Sequence, residues 1–341
     1  MKQIIIILLT FVCLKGLARE NSEVNPGWLW EISGNGLAKK SYLFGTCHGE
    51  GHNFTDEEIY NSISGLKEAM SEVQAVFLEH TADAKEQAEA KAEDIEKYKA
   101  LMKKIYNPGP EYMMPEGVFY KPLFDSVSHF NEFNKFMTYK MKDPEYWKKT
   151  PGYWCIRMVM YLFAIPRMNV RTVDSALREA CLNSGKELGS LESYEFAANK
   201  LWSQYMDVTS IDTMSMKEQV KLAYRFMQIC NNDSLFKESG LHKVYLMNDT
   251  VRFARYMEEG REDVEKKVAD STSMKALEEQ KEYEQLHLLG ERNEAWIPVI
   301  EKNIASRPCM IAAGCRHLMG SNSLIAMLRK KGYTITPVIE R

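Results

Sequence analysis

The sequence predicts an α/β fold: a central mixed or mostly parallel sheet flanked by helices, with a mainly helical insertion or cap. Three observations predict it. Short apolar runs of strand length alternate with segments of helical periodicity towards both ends of the chain. The order strand, helix, strand between residues 41 and 79 is a βαβ unit, which favours a parallel pair. From about residue 81 to 165 the pattern changes to charged and aromatic helical sequence, broken by "NPGPEYMMPEG". With 341 residues, 45% hydrophobic and 27% charged, the chain has the composition of a globular protein and ample length for a core. One α/β domain over residues 19–341 accommodates it, with 81–165 as the insertion.

The first 18 residues, "MKQIIIILLTFVCLKGLA", read as a secretory signal peptide: an early Lys2, an apolar run from Ile4 to Cys13, and small residues before Arg19. The run is short for a membrane span. Val12 stands where a lipid-attachment site at Cys13 would need a small residue. No later segment is long and apolar enough to cross a bilayer, so the expectation is an exported, periplasmic or secreted protein. Loss of Lys2 and Lys15 would take the formal charge from -3 to -5. Mild acidity without a basic stripe excludes nucleic-acid binding as the expected function. Six cysteines would remain, without any C-x-x-C spacing, so neither a zinc knuckle nor a redox motif is indicated and disulfide pairing is left open.

After the leader, "GWLWEISG" and "SYLFGT" are two strands joined by a turn-rich "NGLAKK". Thr55, with Glu58 three residues on, marks a helix start, and Ile59, Ile63, Leu66 and Met70 mark its apolar face. "AVFLEH" is a buried strand ending at Glu79. Residues 82–106 form a highly charged helix, and "FNEFNKFMTYKM" is helical too. Met158, Met160 and Tyr161, at helical spacing, are read as core rather than cofactor contacts. Asp174 can cap a helix that Gly185 ends, and "KELGSLE" is a short strand finishing at Glu192. Several helices follow from Tyr194 to about Ala305. Cys309–Ala313 is a strand, "GCRH" a turn, 322–331 a helix stopped by Gly332, and "YTITPVI" the last strand.

Two segments share one word. In "YLFGTCH" and "MIAAGCRH" an apolar strand meets Gly, two residues pass, and His arrives: His48 and His317. Glycine lets the backbone turn as it leaves the strand. The edge outside the carboxyl ends of parallel strands is where ligands bind in open α/β sheets. His52, four residues after His48, lies further into the loop. "HGEGH" lacks the Glu that the helical metalloprotease word needs, so His52 is at most an outer contact. Glu79 and Glu192 close two other apolar strands, where an ionised carboxylate is costly unless paired. Two imidazoles and a carboxylate would hold zinc or manganese with a position left for water. Pairing with Arg or Lys is the plainer explanation of each glutamate alone. Cys47 and Cys315 are read as spacers, and His80, His129, His242 and His287 as surface or packing residues.

Four segments in order resemble the TraB/PrgY/GumN family, which includes the Tiki proteases acting on Wnt proteins. They are "YLFGTCH", "ISGLKEAMSEVQAVFLEH", "VDSALREACLNSGKELGSLES" and the closing "ERNEAWIPVIEKNIASRPCMIAAGCRHLMGSNSLIAMLRKKGYTITPV". The resemblance implies a fold related to erythromycin esterase and the haem-binding ChaN. By likeness to the Tiki members it implies a metal-dependent peptidase-like hydrolase in which His48, His317 and Glu79 hold a divalent ion, manganese, zinc or cobalt. Glu192 matches a further glutamate that, like Glu79, would serve as ligand or base, and Arg292 with Asn293 matches a polar pair in which Arg292 orients a carboxylate or substrate group. The expected substrate is a peptide or small amide or ester, and the oligomeric state is open. The alternative is a haem- or peptide-binding protein of ChaN or pheromone-interference type. The chain departs from the family pattern at Gly49-Glu50-Gly51, at Glu79-His80-Thr81 and at the bulky Arg316.

Overall fold

The computed structural model describes residues 26–48, 52–81, 109–163, 170–193, 196, 214–230, 240–267 and 284–339. The leader expected at 1–18 and the charged helix expected at 82–106 lie outside them.

Strands β1 (Leu29–Gly34) and β2 (Ser41–Thr46) form the expected antiparallel hairpin. Asn35 and Gly36 supply the positive φ angles of its turn, and Leu37 N–H closes it on Gly34 O at 2.9 Å. Helix α1 (Asp56–Ser62) begins at Thr55, whose hydroxyl accepts from Glu58 N–H while the Glu58 carboxylate accepts from Thr55 N–H. The single helix expected from here to Met70 is instead two, α1 and α2 (Leu66–Glu72), because Gly65 breaks the run at φ 75°. The apolar face survives the break: Ile59, Ile63, Leu66 and Met70 are all buried. Gly65→Ala should therefore cost about 1–2 kcal/mol from left-handed strain, and more because a Cβ would meet Val338 Cγ1 at 2.6 Å. Urea denaturation checks this; an unchanged midpoint would show that the turn re-forms without glycine.

The chain continues with β3 (Ala75–Leu78), α3 (Val127–Lys135), α4 (Pro151–Phe163), α5 (Val173–Asn183), β4 (Glu187–Ser190) and α6 (Met216–Cys230). It closes with α7 (Leu241–Leu246), α8 (Thr250–Lys267), α9 (Glu291–Ser306), β5 (Cys309–Gly314), α10 (Leu324–Lys330) and β6 (Tyr333–Pro337).

The six strands make one sheet in the order β4-β3-β5-β2-β1-β6. β4, β3, β5 and β2 run parallel, while β1 is antiparallel to both β2 and β6. The βαβ unit puts β2 and β3 parallel, as expected, but they do not pair: β5, from the far end of the chain, lies between them. Alternation of side chains across the pleat builds two cores. Tyr42, Phe44, Val76, Leu78, Met310 and Ala312 pack against residues of α1, α2, α5, α7 and α8. Leu43, Ala75, Phe77, Ile311 and Ala313 pack on the opposite face against α9 and α10. The sheet is thus covered on both sides, as parallel strands require.

The chain divides into two compact units, and the sheet with these helices is one of them. Within the described residues the other unit comprises 109–163 and 214–230. It is helical and has a separate core, in which Phe133, Phe136, Trp154 and Met158 meet Val220 and Phe226. Helix α6 therefore joins the segment that the sequence marks as an insertion, by supplying an apolar face for α4. Met158 is core, as its helical spacing suggests.

Candidate functional site

Four parallel strands end along one rim of the sheet. The β2–β5 ladder closes with Thr46 opposite Gly314, and β3–β4 with Leu78 opposite Ser190. Glu79 follows β3 directly, and Glu192 follows β4 by two residues, its N–H donating to Glu79 O at 3.2 Å. His48 lies two residues beyond β2 and His317 three beyond β5, on a 3-10 turn spanning Cys315–Leu318. Residues spread over most of the chain therefore leave neighbouring strand ends together.

The glycines of the two Gly-x-x-His words have a different task from the sharp turn expected of them. Neither takes a positive φ. Each is needed for space: a Cβ on Gly45 would sit 3.1 Å from Cys315 Cα, and one on Gly314 would sit 3.1 Å from Glu79 Oε1. The second approach lets Gly314 N–H donate to Glu79 Oε1 at 2.6 Å.

Arg292, in the first turn of α9, reaches the same carboxylate. Its Nη2 donates to Glu79 Oε2 at 2.6 Å and to Glu192 Oε1 at 2.5 Å, and its Nε donates to Glu192 Oε2 at 3.0 Å. The expected bidentate grip falls on Glu192. Trp296, one turn along α9, donates its indole N–H to Glu192 Oε2 at 2.9 Å and stacks under the guanidinium, 4.7 Å from its ring centre. The plainer explanation of both glutamates, pairing with an arginine, is the arrangement seen.

His317 is oriented by Asn293. The Asn293 amide donates to Asn322 O at 2.8 Å, which turns Oδ1 towards His317 Nδ1 at 2.7 Å. Nδ1 must therefore carry the proton, leaving the Nε2 lone pair to face Arg292 Nη1 at 3.3 Å and Glu79 Oε1 at 3.6 Å. Burial drives the imidazole pKa down to about 3, further than the Glu79 charge can raise it. Burial opposes ionisation of Glu79, but the charges of His317, Arg292 and His48 outweigh it and hold the carboxyl at about 2. At neutral pH His317 is neutral and Glu79 ionised. Burial pushes the Glu192 carboxyl up, against the pull of Arg292.

His48 stands on the same rim with 63% of its side chain exposed, and its charge bears on Glu79 and His317. Beside it stands Asp174, a residue to which the sequence assigns no site role. Asp174, expected to cap α5, does not do so: the Thr172 hydroxyl accepts from Ser175 N–H instead. Asp174, inside the first turn, accepts from the Thr46 hydroxyl through Oδ1 at 2.9 Å, and its Oδ2 lies 3.9 Å from His48 Nδ1. That Oδ2 is buried without a hydrogen-bond partner among the described residues. Burial raises the Asp174 carboxyl pKa, with His48 opposing and Glu79 adding. The signal was present in the sequence, an acidic residue following a hydroxyl able to cap by itself, but either residue could have been the cap.

His52 faces elsewhere. Its ring stacks on His242 at 4.1 Å and its Nε2 lies 3.4 Å from Glu58 Oε2, so it braces the start of α1. His242, read as a surface or packing residue, packs with it. Cys47 and Cys315 are buried, and burial holds the Cys315 thiol well above its ordinary pKa, consistent with a spacer. None of the six cysteines of the described residues is in a disulfide.

Among the described residues, no three His, Cys, Asp or Glu side chains close into one ligand cluster. Arg292 and the Gly314 amide already engage Glu79. The rim nevertheless carries a neutral imidazole with its proton fixed on Nδ1, an exposed imidazole, and a buried carboxylate oxygen without a hydrogen-bond partner among the described residues.

The same pKa shifts predict a pH dependence of stability. His317 falls from its ordinary 6.5 to about 3 on folding, and Glu79 from 4.5 to about 2. Both folded values are depressed, so the unfolded chain binds more protons in acid. The stabilisation is complete above pH 6.5; the His317 part fades from there towards 3, and the Glu79 part from 4.5 towards 2. Melting temperatures should fall between pH 6.5 and 4, and His317→Gln should flatten that slope. An equal slope in the variant would contradict a buried neutral imidazole.

The TraB/PrgY/gumN family model matches residues 28–337. The chain belongs to this family. The match runs from β1 to β6, so in this family member the rim of strand ends and the helical unit both lie within it. No curated protein and no solved structure matches the chain.

Proposed function

We propose that this family member is an exported, metal-dependent hydrolase acting on peptides or small amides or esters. What supports the reading is one feature: an ionised carboxylate and a neutral imidazole held 3.6 Å apart beside a buried guanidinium, at the carboxyl ends of parallel strands. Export rests on the leader at residues 1–18.

Each residue has a role in this reading. Arg292 pins Glu79 and Glu192 and supplies positive charge that would stabilise negative charge developing on a substrate oxygen. Glu79, ionised at neutral pH, would accept the proton of an attacking water. Glu192 would fix Arg292, and Asn293 the tautomer of His317. The exposed imidazole of His48 would exchange protons with solvent or contact substrate. A divalent ion, held by His48, His317 and Glu79, would supply an activated water near neutral pH and polarise the scissile carbonyl.

The experiment is to incubate the purified chain with manganese, zinc or cobalt and offer it a peptide library and small chromogenic esters. Metal-stimulated cleavage that a chelator abolishes is the expected result. No cleavage with any of the three ions, together with an intense haem absorption band in the purified sample, would favour the haem-binding alternative.

A further inference from the structure

We infer that Asp174 is a cation ligand, sharing a divalent ion with His48 at the mouth of the rim. It lies in the quoted segment "VDSALREACLNSGKELGSLES", which gave it no ligand role, and the observation that points to one is the orphaned Oδ2. A polar group left unsatisfied in a protein interior is destabilising, and more so when it carries charge. The thrifty partner for it would be His48, but 3.9 Å is too long for a hydrogen bond. It is close to the right length for an ion between them. Two bonds of about 2.1 Å span at most about 4.2 Å, so an ion slightly off the line joining Nδ1 and Oδ2 would reach both.

The surroundings are built to hold this carboxylate. The Thr46 hydroxyl donates to Oδ1, leaving Oδ2 as the free end. Val173 N–H donates to Cys47 O at 3.2 Å, tying the first residue of α5 to the residue before His48. The two donors are thereby held in register although 126 positions separate them in the sequence. On the inner side Arg292 engages Glu79 and Glu192, whereas Oδ2 of Asp174 has no hydrogen-bond partner among the described residues. A cation entering from solvent meets exposed His48 and then Asp174.

The inference rests on the rim being a cation site but not on its being hydrolytic, and binding without substrate separates the two. The purified chain, stripped with a chelator, is titrated calorimetrically with manganese chloride and with zinc chloride. The expected result is one saturable site whose affinity falls at least tenfold in Asp174→Asn and in His48→Ala, and not in His242→Ala. Thr46→Val, which removes the hydrogen bond behind the carboxylate, should weaken binding about tenfold, the low end of such outer contacts. Folding is controlled by melting: Asp174→Asn replaces a buried charge by a neutral isostere, so the stripped variant should melt no lower than wild type. Added zinc should raise the wild-type melting temperature and not the variant's. Equal affinity in wild type and Asp174→Asn would overturn the assignment, and so would a wild type that binds neither ion. A chain that binds metal through Asp174 yet cleaves nothing would leave this inference standing and remove the hydrolase.

Discussion

Arg292→Met is expected to be among the most destabilising single substitutions in the chain, costing about 3–5 kcal/mol, the usual loss when one partner of a buried ion pair is removed. The side chains concerned are deeply buried: Arg292 is 5% exposed, Glu192 2% and Glu79 19%. Without the guanidinium, the two carboxylates lie together beside Trp296 and His317, with the Gly314 and Trp296 N–H groups as the remaining donors among the described residues. Methionine keeps much of the volume, so the loss would report charge rather than a cavity. Adding Glu192→Gln to Arg292→Met should recover part of it, because the carboxyl that burial already disfavours is then neutral. Urea denaturation of the two variants and wild type measures both effects. A loss below about 1 kcal/mol, the range of an exposed pair, would mean that Glu192 is protonated in the folded protein.

The second large effect separates the two histidines. His48→Ala and His317→Ala should each abolish metal-stimulated cleavage, and His242→Ala should leave it intact. Their effects on stability should differ. His48 is largely exposed and its nearest partner is not hydrogen-bonded to it, so His48→Ala should melt within a degree or two of wild type, as surface changes within about 0.5 kcal/mol do. His317 is buried, packs against Trp296 with ring centres 4.5 Å apart, and holds Asn293. His317→Ala should therefore lose about 2–3 kcal/mol, the scale of a cavity plus an unsatisfied buried amide. Thermal melts and cleavage assays on the same preparations settle it. Full cleavage by His48→Ala would remove that residue from the site, and an unshifted melt of His317→Ala would contradict its burial.

Much of the rim was legible in the sequence because strand ends announce themselves. An apolar run that stops at Glu79, at Glu192 or at a Gly-x-x-His marks where the chain leaves the sheet, and the parallel βαβ order says on which edge. Arg292 was reached through its family motif, and its grip on a carboxylate followed from guanidinium geometry. Other features were not legible. Asp174 can cap by its residue type, but so can Thr172, and the choice depends on Thr46 lying opposite. The break at Gly65 was hidden because the apolar spacing continues through it. The role of the motif glycines was misread, since a missing Cβ serves a close approach as well as a turn, and the atoms approached, Cys315 Cα and Glu79 Oε1, are remote in sequence.

The sequence by itself determined the α/β class, the strands and their ends, the cap at Thr55 and the carboxylates and imidazoles at those ends. These follow from interactions within a few residues, where periodicity and capping act. Only the tertiary structure decided that β5 separates β2 from β3, that α6 completes the core of α4, and that Arg292 stands between Glu79 and Glu192. It also decided which nitrogen of His317 carries the proton, and that Asp174 turns an unpaired oxygen towards His48. Those outcomes depend on the desolvation and pairing of groups brought together from distant parts of the chain, and local pattern holds no record of which of them will meet.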